Sequence, residues 1–222
     1  AIGVELDDPD LTSLALSFKG SLAWDRGDAH EVIALSRAAG RDERVHVTQH
    51  AFNAYQQARG WAMTGDVTEM DRMMGWAADL ADAALVRQAD APDNMYWYGA
   101  GFFTMQRGLT WHMLRRHRYA NRAATELTSG ITQLPDAERG SEWAAVFTIA
   151  AAEAYADAGD PERAVDQARH ALVVCRATRS TQLAAALRTL HAHLRELWPT
   201  VPTVRELSDE VRTLGRTRRP GD

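Results

Sequence analysis

The sequence of 222 residues predicts an all-α protein. Apolar residues recur at spacings of three and four almost throughout, which is the period of an amphipathic helix. Runs of β-branched residues are short and alternation of apolar with polar residues never persists, so no strand is predicted. Breaks rich in Gly, Pro and Asp divide the chain into about nine helical segments of about 12 to 20 residues. These breaks lie at residues 26–28, 64–66, 91–93, 129–130, 134–136, 158–161 and 198–202.

Three of the breaks contain a glycine followed by an aspartate, at residues 27–28, 65–66 and 159–160. Glycine adopts a positive φ at the end of a helix without steric cost, and aspartate caps the first turn of the next helix. We therefore expect each break to be a tight turn between two antiparallel helices.

Alignment on the three glycines reveals a repeat. The same four offsets carry small or large apolar residues in each copy, as expected where two helices approach closely. The positions are Gly20, Ala23, Val32 and Ala39, then Ala58, Trp61, Met70 and Ala77, and finally Ala152, Tyr155, Ala164 and Ala171. We expect a fourth copy without glycine around residues 115–119, between Trp111 and Met113 on one side and Ala123 and Ala124 on the other.

The C-terminal part does not continue the repeat. Leucines at spacings of three and four form one apolar stripe, which indicates either a helix that caps the stack or the seam of a dimer. The stripe consists of Leu183, Leu187, Leu190, Leu194 and Leu197. A short C-terminal helix is predicted within residues 198–215, and residues 216–222 are expected to form a flexible tail.

Composition excludes several classes of protein. Acidic residues exceed Lys plus Arg by 30 to 25, so the chain lacks the basic footprint of a nucleic-acid-binding domain. No run of about 18 apolar residues could cross a bilayer, so no membrane association is expected. The single cysteine, Cys175, excludes an internal disulfide framework and is expected to be a small buried side chain. These features together indicate a cytoplasmic protein.

Motifs for catalysis are absent from the sequence. It contains no phosphate-binding glycine loop, no His-Glu-x-x-His and no Cys-x-x-Cys, so no catalytic residue, metal or cofactor is expected. His46 and His50 lie four apart and could share a helix face, but no third ligand is evident from spacing. An enzyme with an unfamiliar pocket around His46, His50 and His112 remains a minor alternative.

Aromatic residues and methionines cluster in the middle of the chain, at residues 52–63 and 94–116. We expect Trp61, Trp76, Phe103 and Met113 to pack in the core. Residues 94–105 are apolar on nearly every side, more than one core face can absorb. Some side chains of this stretch are therefore expected to face a second helix layer, a partner or a cavity; the candidates are Tyr96, Trp97, Tyr98 and Phe102.

The repeat, clearest in residues 143–176, resembles the tetratricopeptide repeat. Residues 152–194 are similar to the C-terminal, ligand- or partner-sensing region of actinobacterial helix-turn-helix transcriptional regulators of the Streptomyces type. The resemblance covers roughly residues 10 to 197 and implies a right-handed superhelical stack of about four degenerate helix pairs over residues 1–197. No segment of the sequence is similar to the DNA-binding domain of those regulators. Contact with DNA is therefore expected only through a domain absent from this chain.

The resemblance also implies which helix faces line the concave surface. The candidate ligand-binding residues are Phe52, Tyr55, Gln56, Arg59, Met63, Trp97, Thr104, Arg107, Trp111 and Arg115. Aromatic rings beside arginines suit a mostly apolar molecule with an anionic end, such as an acidic metabolite or a peptide. The arginines could instead be solvated or paired with neighbouring acids such as Asp71. Two functions stay open: a sensing domain of a regulator, with a homodimer as one assembly, and a constitutive protein scaffold whose methionines provide an adaptable surface.

Overall fold

The computed structural model describes residues 7–95 and 97–214, and within these ranges the regular structure is entirely helical. It contains eleven α-helices and two short 3-10 turns, at Gln88–Asp90 and Asp93–Met95. The helices are α1 Pro9–Asp25, α2 Ala29–Ala39, α3 Val47–Thr64, α4 Val67–Val86, α5 Ala100–Met113, α6 His117–Gln133, α7 Asp136–Arg139, α8 Glu142–Asp157, α9 Pro161–Thr178, α10 Thr181–Leu197 and α11 Pro202–Arg212. The all-α prediction is confirmed. Tyr96 and the expected tail at 216–222 lie outside the described residues.

The helices form two compact units, which divide after Leu114. The first unit contains α1 to α5 and the second contains α6 to α11. The expected right-handed superhelix over residues 1–197 stays a prediction. None of the described helices combines the length and apolar character needed to span a membrane.

All three Gly-Asp turns have the expected geometry. Gly27, Gly65 and Gly159 have φ of 75°, 80° and 81°. The aspartate that follows each glycine accepts a hydrogen bond from the backbone N–H three residues later, at 2.9, 3.0 and 3.1 Å. Each turn therefore ends one helix and caps the next with two adjacent residues.

The repeat positions lie in the core. Of the twelve residues that the alignment selected, all are buried except Trp61, which is half-buried. Ala58, Ala77, Ala152 and Ala164 are completely inaccessible to solvent. The offsets around the three glycines thus mark the lines along which paired helices touch, as predicted.

One expected helix boundary is wrong. The break at residues 129–130 does not exist, because Ser129 and Gly130 lie inside α6 and Gly130 is buried there. The expected break without glycine near residues 115–119 is present, since α5 ends at Met113 and α6 begins at His117, but the two helices belong to different units. Between them Arg115 adopts a φ of 45°, so a non-glycine residue takes the left-handed conformation at this point.

Helix α3 is the centre of the first unit and contacts α1, α2, α4 and α5. Its close approach to α2 requires glycine at position 60, because a Cβ there would lie 2.6 Å from Cγ1 of Ile33. Five polar residues other than Arg59 are nonetheless buried on α3: Thr48, Gln49, Asn53, Gln56 and Gln57. Since an unpaired buried amide is costly, these side chains need partners inside the unit.

Those partners come mainly from α1. Ser17 donates to Oδ1 of Asn53 at 2.6 Å, and Asn53 donates through Nδ2 to Oγ of Ser13 at 2.9 Å. Gln49 donates through Nε2 to both Ser17 and Asn53, at 2.8 and 2.9 Å. Gln56 donates to the Ser17 carbonyl at 3.0 Å and accepts from Ser36 of α2 at 3.1 Å. We call this set of hydrogen bonds the α1–α3 polar network.

In the second unit the leucine stripe of α10 is covered by the chain itself. Four of its five leucines are at most 1% exposed, whereas Leu197 at the end of the helix is 45% exposed. Helix α10 contacts α8, α9 and α11, so the stripe is used within the unit and the dimer-seam interpretation is wrong. Cys175 is buried as expected, and burial raises the pKa of its thiol.

The predicted core role of four central residues is only partly confirmed. Phe103 is buried, and Trp61 and Met113 are half-buried. Trp76 is 46% exposed, which contradicts the prediction. The buried residues of α4 form one stripe that includes Met73 and Ala77, and Trp76 lies roughly a third of a turn away from it.

The energetic penalty of a positive φ in the Gly-Asp turns can be tested by substitution. A Cβ at position 27 would meet no atom within 4 Å, so Gly27→Ala isolates the penalty of a positive φ. We expect this variant to lose about 1 kcal/mol of unfolding free energy in urea titrations. Gly75→Ala is the matched control, because position 75 is also sterically open but lies inside α4. That variant should gain up to about 1 kcal/mol, and equal effects of the two changes would contradict the assignment.

Candidate functional site

A cluster of aromatic rings joins α3 to the start of α5. The Phe52 ring stacks on Tyr98 with centroids 5.5 Å apart, and Tyr98 lies 4.9 Å from Phe102. Tyr55, one turn further along α3, stacks on Phe103 at 6.1 Å. We call this group the aromatic cluster. In it, helix α3 is the second helix layer that the apolar stretch 94–105 was expected to face.

Local structure places Tyr98 in the cluster. After α4 the chain passes through two 3-10 turns, and α5 begins only at Ala100. The Tyr98 hydroxyl donates to Oε1 of Gln49 at 3.3 Å, which links the aromatic cluster to the α1–α3 polar network. Burial raises the pKa of Tyr98, so the phenol stays protonated and acts as a donor.

Arg59 is the most unusual residue of this region. It is only 4% exposed, and its Nη1 donates to Oε1 of Gln106 at 2.7 Å. The guanidinium carbon lies 5.3 Å from the Trp24 ring and 5.7 Å from the Phe52 ring, within the range of cation–π attraction. Within residues 7–95 and 97–214, no carboxylate forms an ion pair with Arg59.

The burial of this charge is costly. Loss of hydration lowers the pKa of Arg59 to about 10, which still leaves the guanidinium charged at neutral pH. Because one pKa unit corresponds to about 1.4 kcal/mol, burial of the charge costs roughly 3 kcal/mol. Two rings and one amide offset only part of the lost hydration, since a guanidinium has five N–H donors.

The structure brings together some of the predicted site residues. Phe52, Tyr55, Arg59 and Trp97 belong to one neighbourhood, with Trp97 packed edge-on against Tyr98 at 5.3 Å. Phe52 and Trp97 keep partial exposure, and the Phe52 ring lies beside the guanidinium of Arg59. Tyr55 and Arg59 are buried, at 2% and 4% exposure, and the expected open groove stays a prediction.

The other predicted residues lie elsewhere or are enclosed. Gln56 belongs to the α1–α3 polar network. Trp111 is 5% exposed, and Thr104 donates to the Ala100 carbonyl of its own helix. Met63 and Arg107 are partly exposed, whereas Arg115 is exposed and belongs to the second unit. A ligand-binding role for these residues stays a prediction.

Sequence reasoning missed the two residues that contact Arg59 from other helices. Gln106 follows Phe102 by four residues and Phe103 by three, so its place on the same face of α5 was readable from spacing. Trp24 had no such signal, because it lies on α1 and meets Arg59 only through the packing of α1 on α3.

The histidine pair has a structural explanation. His46 precedes α3 and accepts a hydrogen bond from the Thr48 N–H through Nδ1 at 3.3 Å, as an N-cap. Burial lowers the pKa of both His46 and His50, which favours the neutral imidazoles. Among the residues that the structure describes, no three His, Cys, Asp or Glu side chains are grouped so that they could hold a metal ion.

The contribution of Arg59 to stability can be measured directly. We expect the double variant Arg59→Met, Gln106→Leu to gain about 1 to 3 kcal/mol of unfolding free energy in urea, since both polar partners become apolar at similar volume. Arg59→Ala should instead lose stability, because it leaves a cavity and an unpaired Gln106. If the double variant is strongly destabilised, Arg59 serves the fold rather than a ligand.

Comparison of the chain with protein-family models, with curated proteins and with solved structures finds no match in any of the three. The chemistry of its side chains is therefore the basis for a functional proposal.

Proposed function

We propose that this chain is a noncatalytic sensing domain that binds a ligand with an anionic end beside Arg59. The observation that carries the proposal is a buried guanidinium, 4% exposed, without a carboxylate partner in the described part of the chain. An incoming carboxylate or phosphate would supply the missing counter-charge and accept two parallel hydrogen bonds. Because the guanidinium has already lost its hydration in the unliganded protein, the ligand gains the ion pair without a further desolvation cost for the arginine.

The partly exposed residues of this region suggest the rest of the ligand. Phe52 is partly exposed beside the buried charge, Trp97 is partly exposed where it packs on Tyr98, and Met63 is partly exposed one turn after Arg59 on α3. Such a surface suits the apolar body of a small acidic metabolite, or an apolar side chain of a peptide with an adjacent acidic group.

The regulatory part of the proposal is supported by the hairpins. Their Gly-Asp turns and buried small residues suit a tetratricopeptide-like stack, which we propose to be right-handed and superhelical. With a net charge of -5, the chain would act on DNA only through an attached or partner helix-turn-helix domain, in the cytoplasm. Phe18 and Leu22, exposed four residues apart on α1, would suit the surface of a homodimer.

The alternative of a constitutive scaffold loses one of its supports. It relied on methionines as an adaptable surface, but five of the seven are buried: Met70, Met73, Met74, Met95 and Met105. The exposed Phe18 and Leu22 remain as a patch that a protein partner could cover.

Binding measurements test the proposal. In calorimetry with octanoate, phenylacetate and a short peptide ending in Phe-Glu, we expect at least one probe to bind, and Arg59→Met to weaken it more than tenfold. Phe52→Ala should weaken binding less, because it removes apolar contact without removing the charge. Arg118→Met is the control, since Arg118 is an exposed arginine in the second unit. Equal affinity of Arg59→Met and the unmodified protein would refute the proposal.

A further inference from the structure

A second, open site lies in the first unit. A cleft of about 600 Å³ is bounded by α2, α3 and α4. Arg37 lines it from α2 and Arg41 from the segment that follows this helix, while His50 and Asn53 line it from α3, and Arg72 and Trp76 from α4. Its volume is in the range of small-molecule sites, and we call it the arginine cleft.

The arginine cleft and the aromatic cluster use opposite faces of α3. Successive residues of a helix are rotated by about 100°, so His50, Asn53 and Gln57 share one face. Phe52 and Arg59 lie on the other face, about half a turn away. The cleft is therefore separate from the site at Arg59, and none of its lining residues is among the candidate ligand-binding residues that the sequence indicated.

All charged or titratable residues that line the cleft are basic: three arginines and one histidine, with no Asp or Glu. This contrasts with the chain as a whole, whose net charge is -5. Arg72 pairs with Glu69 at 2.6 Å, but this pair is largely exposed and its energy is small. Among the described residues no ion pair involves Arg37 or Arg41.

The three arginines bring their positive charges close together around the cleft. Arg37 and Arg41 lie four residues apart in the sequence, Arg37 in the last turn of α2 and Arg41 just after its C-cap, Gly40, and both are exposed. The third guanidinium, that of Arg72, faces the same cavity from α4. Three guanidiniums around one small volume favour a compact ligand with more than one negative charge, and phosphate matches them better than a single carboxylate does.

The remaining walls indicate the rest of the ligand. Trp76 is 46% exposed beside the cleft, although its ring is large enough to belong in a core. An exposed indole offers a flat apolar face on which a planar ring can stack. The amides of Asn53 and Gln57 lie at the buried end of the cleft, where they are 3% and 6% exposed. Through Oδ1 and Nδ2, Asn53 is already bound to α1, which leaves Gln57 as the polar group of the floor that a ligand can contact.

We propose that the arginine cleft binds a phosphate ester that carries a planar ring, with the phosphate between Arg37, Arg41 and Arg72 and the ring against Trp76. The site does not depend on the proposed function at Arg59. A nucleoside monophosphate is the simplest molecule with both features.

Calorimetry with three probes tests the cleft: adenosine monophosphate, inorganic phosphate and adenosine. We expect the monophosphate to bind most tightly, inorganic phosphate more weakly and adenosine weakest. The double variant Arg37→Met, Arg41→Met should weaken the monophosphate at least tenfold and flatten the dependence of its affinity on salt. Trp76→Ala should weaken the monophosphate while leaving inorganic phosphate unchanged.

The matched control is Arg118→Met, Arg122→Met, which removes two exposed arginines at the same spacing on α6 of the second unit. It should leave every affinity unchanged, and Arg59→Met should do the same, which separates this test from that of the proposed function. Urea unfolding of each variant verifies that it is folded. The proposal is overturned if no probe binds at millimolar concentration, or if both double variants lose affinity equally, as expected for a general charge effect.

Discussion

The packing of the first unit depends on finding partners for the polar side chains of α3. This helix is enclosed by four others, yet carries Gln49, Asn53 and Gln56 in its buried surface. Each amide bonds to a serine of α1 or to another amide of α3. Apolar contacts alone tolerate small shifts between two helices, whereas these hydrogen bonds hold only at one relative position. The α1–α3 polar network therefore fixes how α1 lies on α3, and with it the position of Trp24 over Arg59.

Arg59 lies on the same helix but differs from these amides in its partners. Gln49, Asn53 and Gln56 have hydrogen-bond partners at 2.6 to 3.3 Å, while the guanidinium bonds to one amide and contacts two rings. Among the residues that the structure describes, this buried charge has no carboxylate partner, and the proposed anion site depends on that observation. The arginine cleft has the same imbalance on the opposite face, where the charges are exposed to solvent.

Those features of the fold that depend on local sequence were predictable. The Gly-Asp turns, the small residues around them and the four buried leucines of α10 all follow from spacing along one segment. The break predicted at residues 129–130 is absent because Gly130 is buried within α6, and this burial outweighs its weak helix propensity. The site was less predictable, since the burial of Arg59 depends on Trp24 and Gln106 from two other helices. Likewise, the cleft combines residues of three helices and of the segment after α2, so spacing along one helix does not indicate it.

Each Gly-Asp turn is closed by bonds among residues only a few positions apart, so its geometry makes little demand on the rest of the hairpin. Substitutions elsewhere in a hairpin can then accumulate while the chain still reverses direction at the same place. In such an architecture, similarity between copies fades first on the helix faces and last at the turns. New binding surfaces can therefore arise by substitutions on the helix faces, because these substitutions leave the hydrogen bonds of the turns intact.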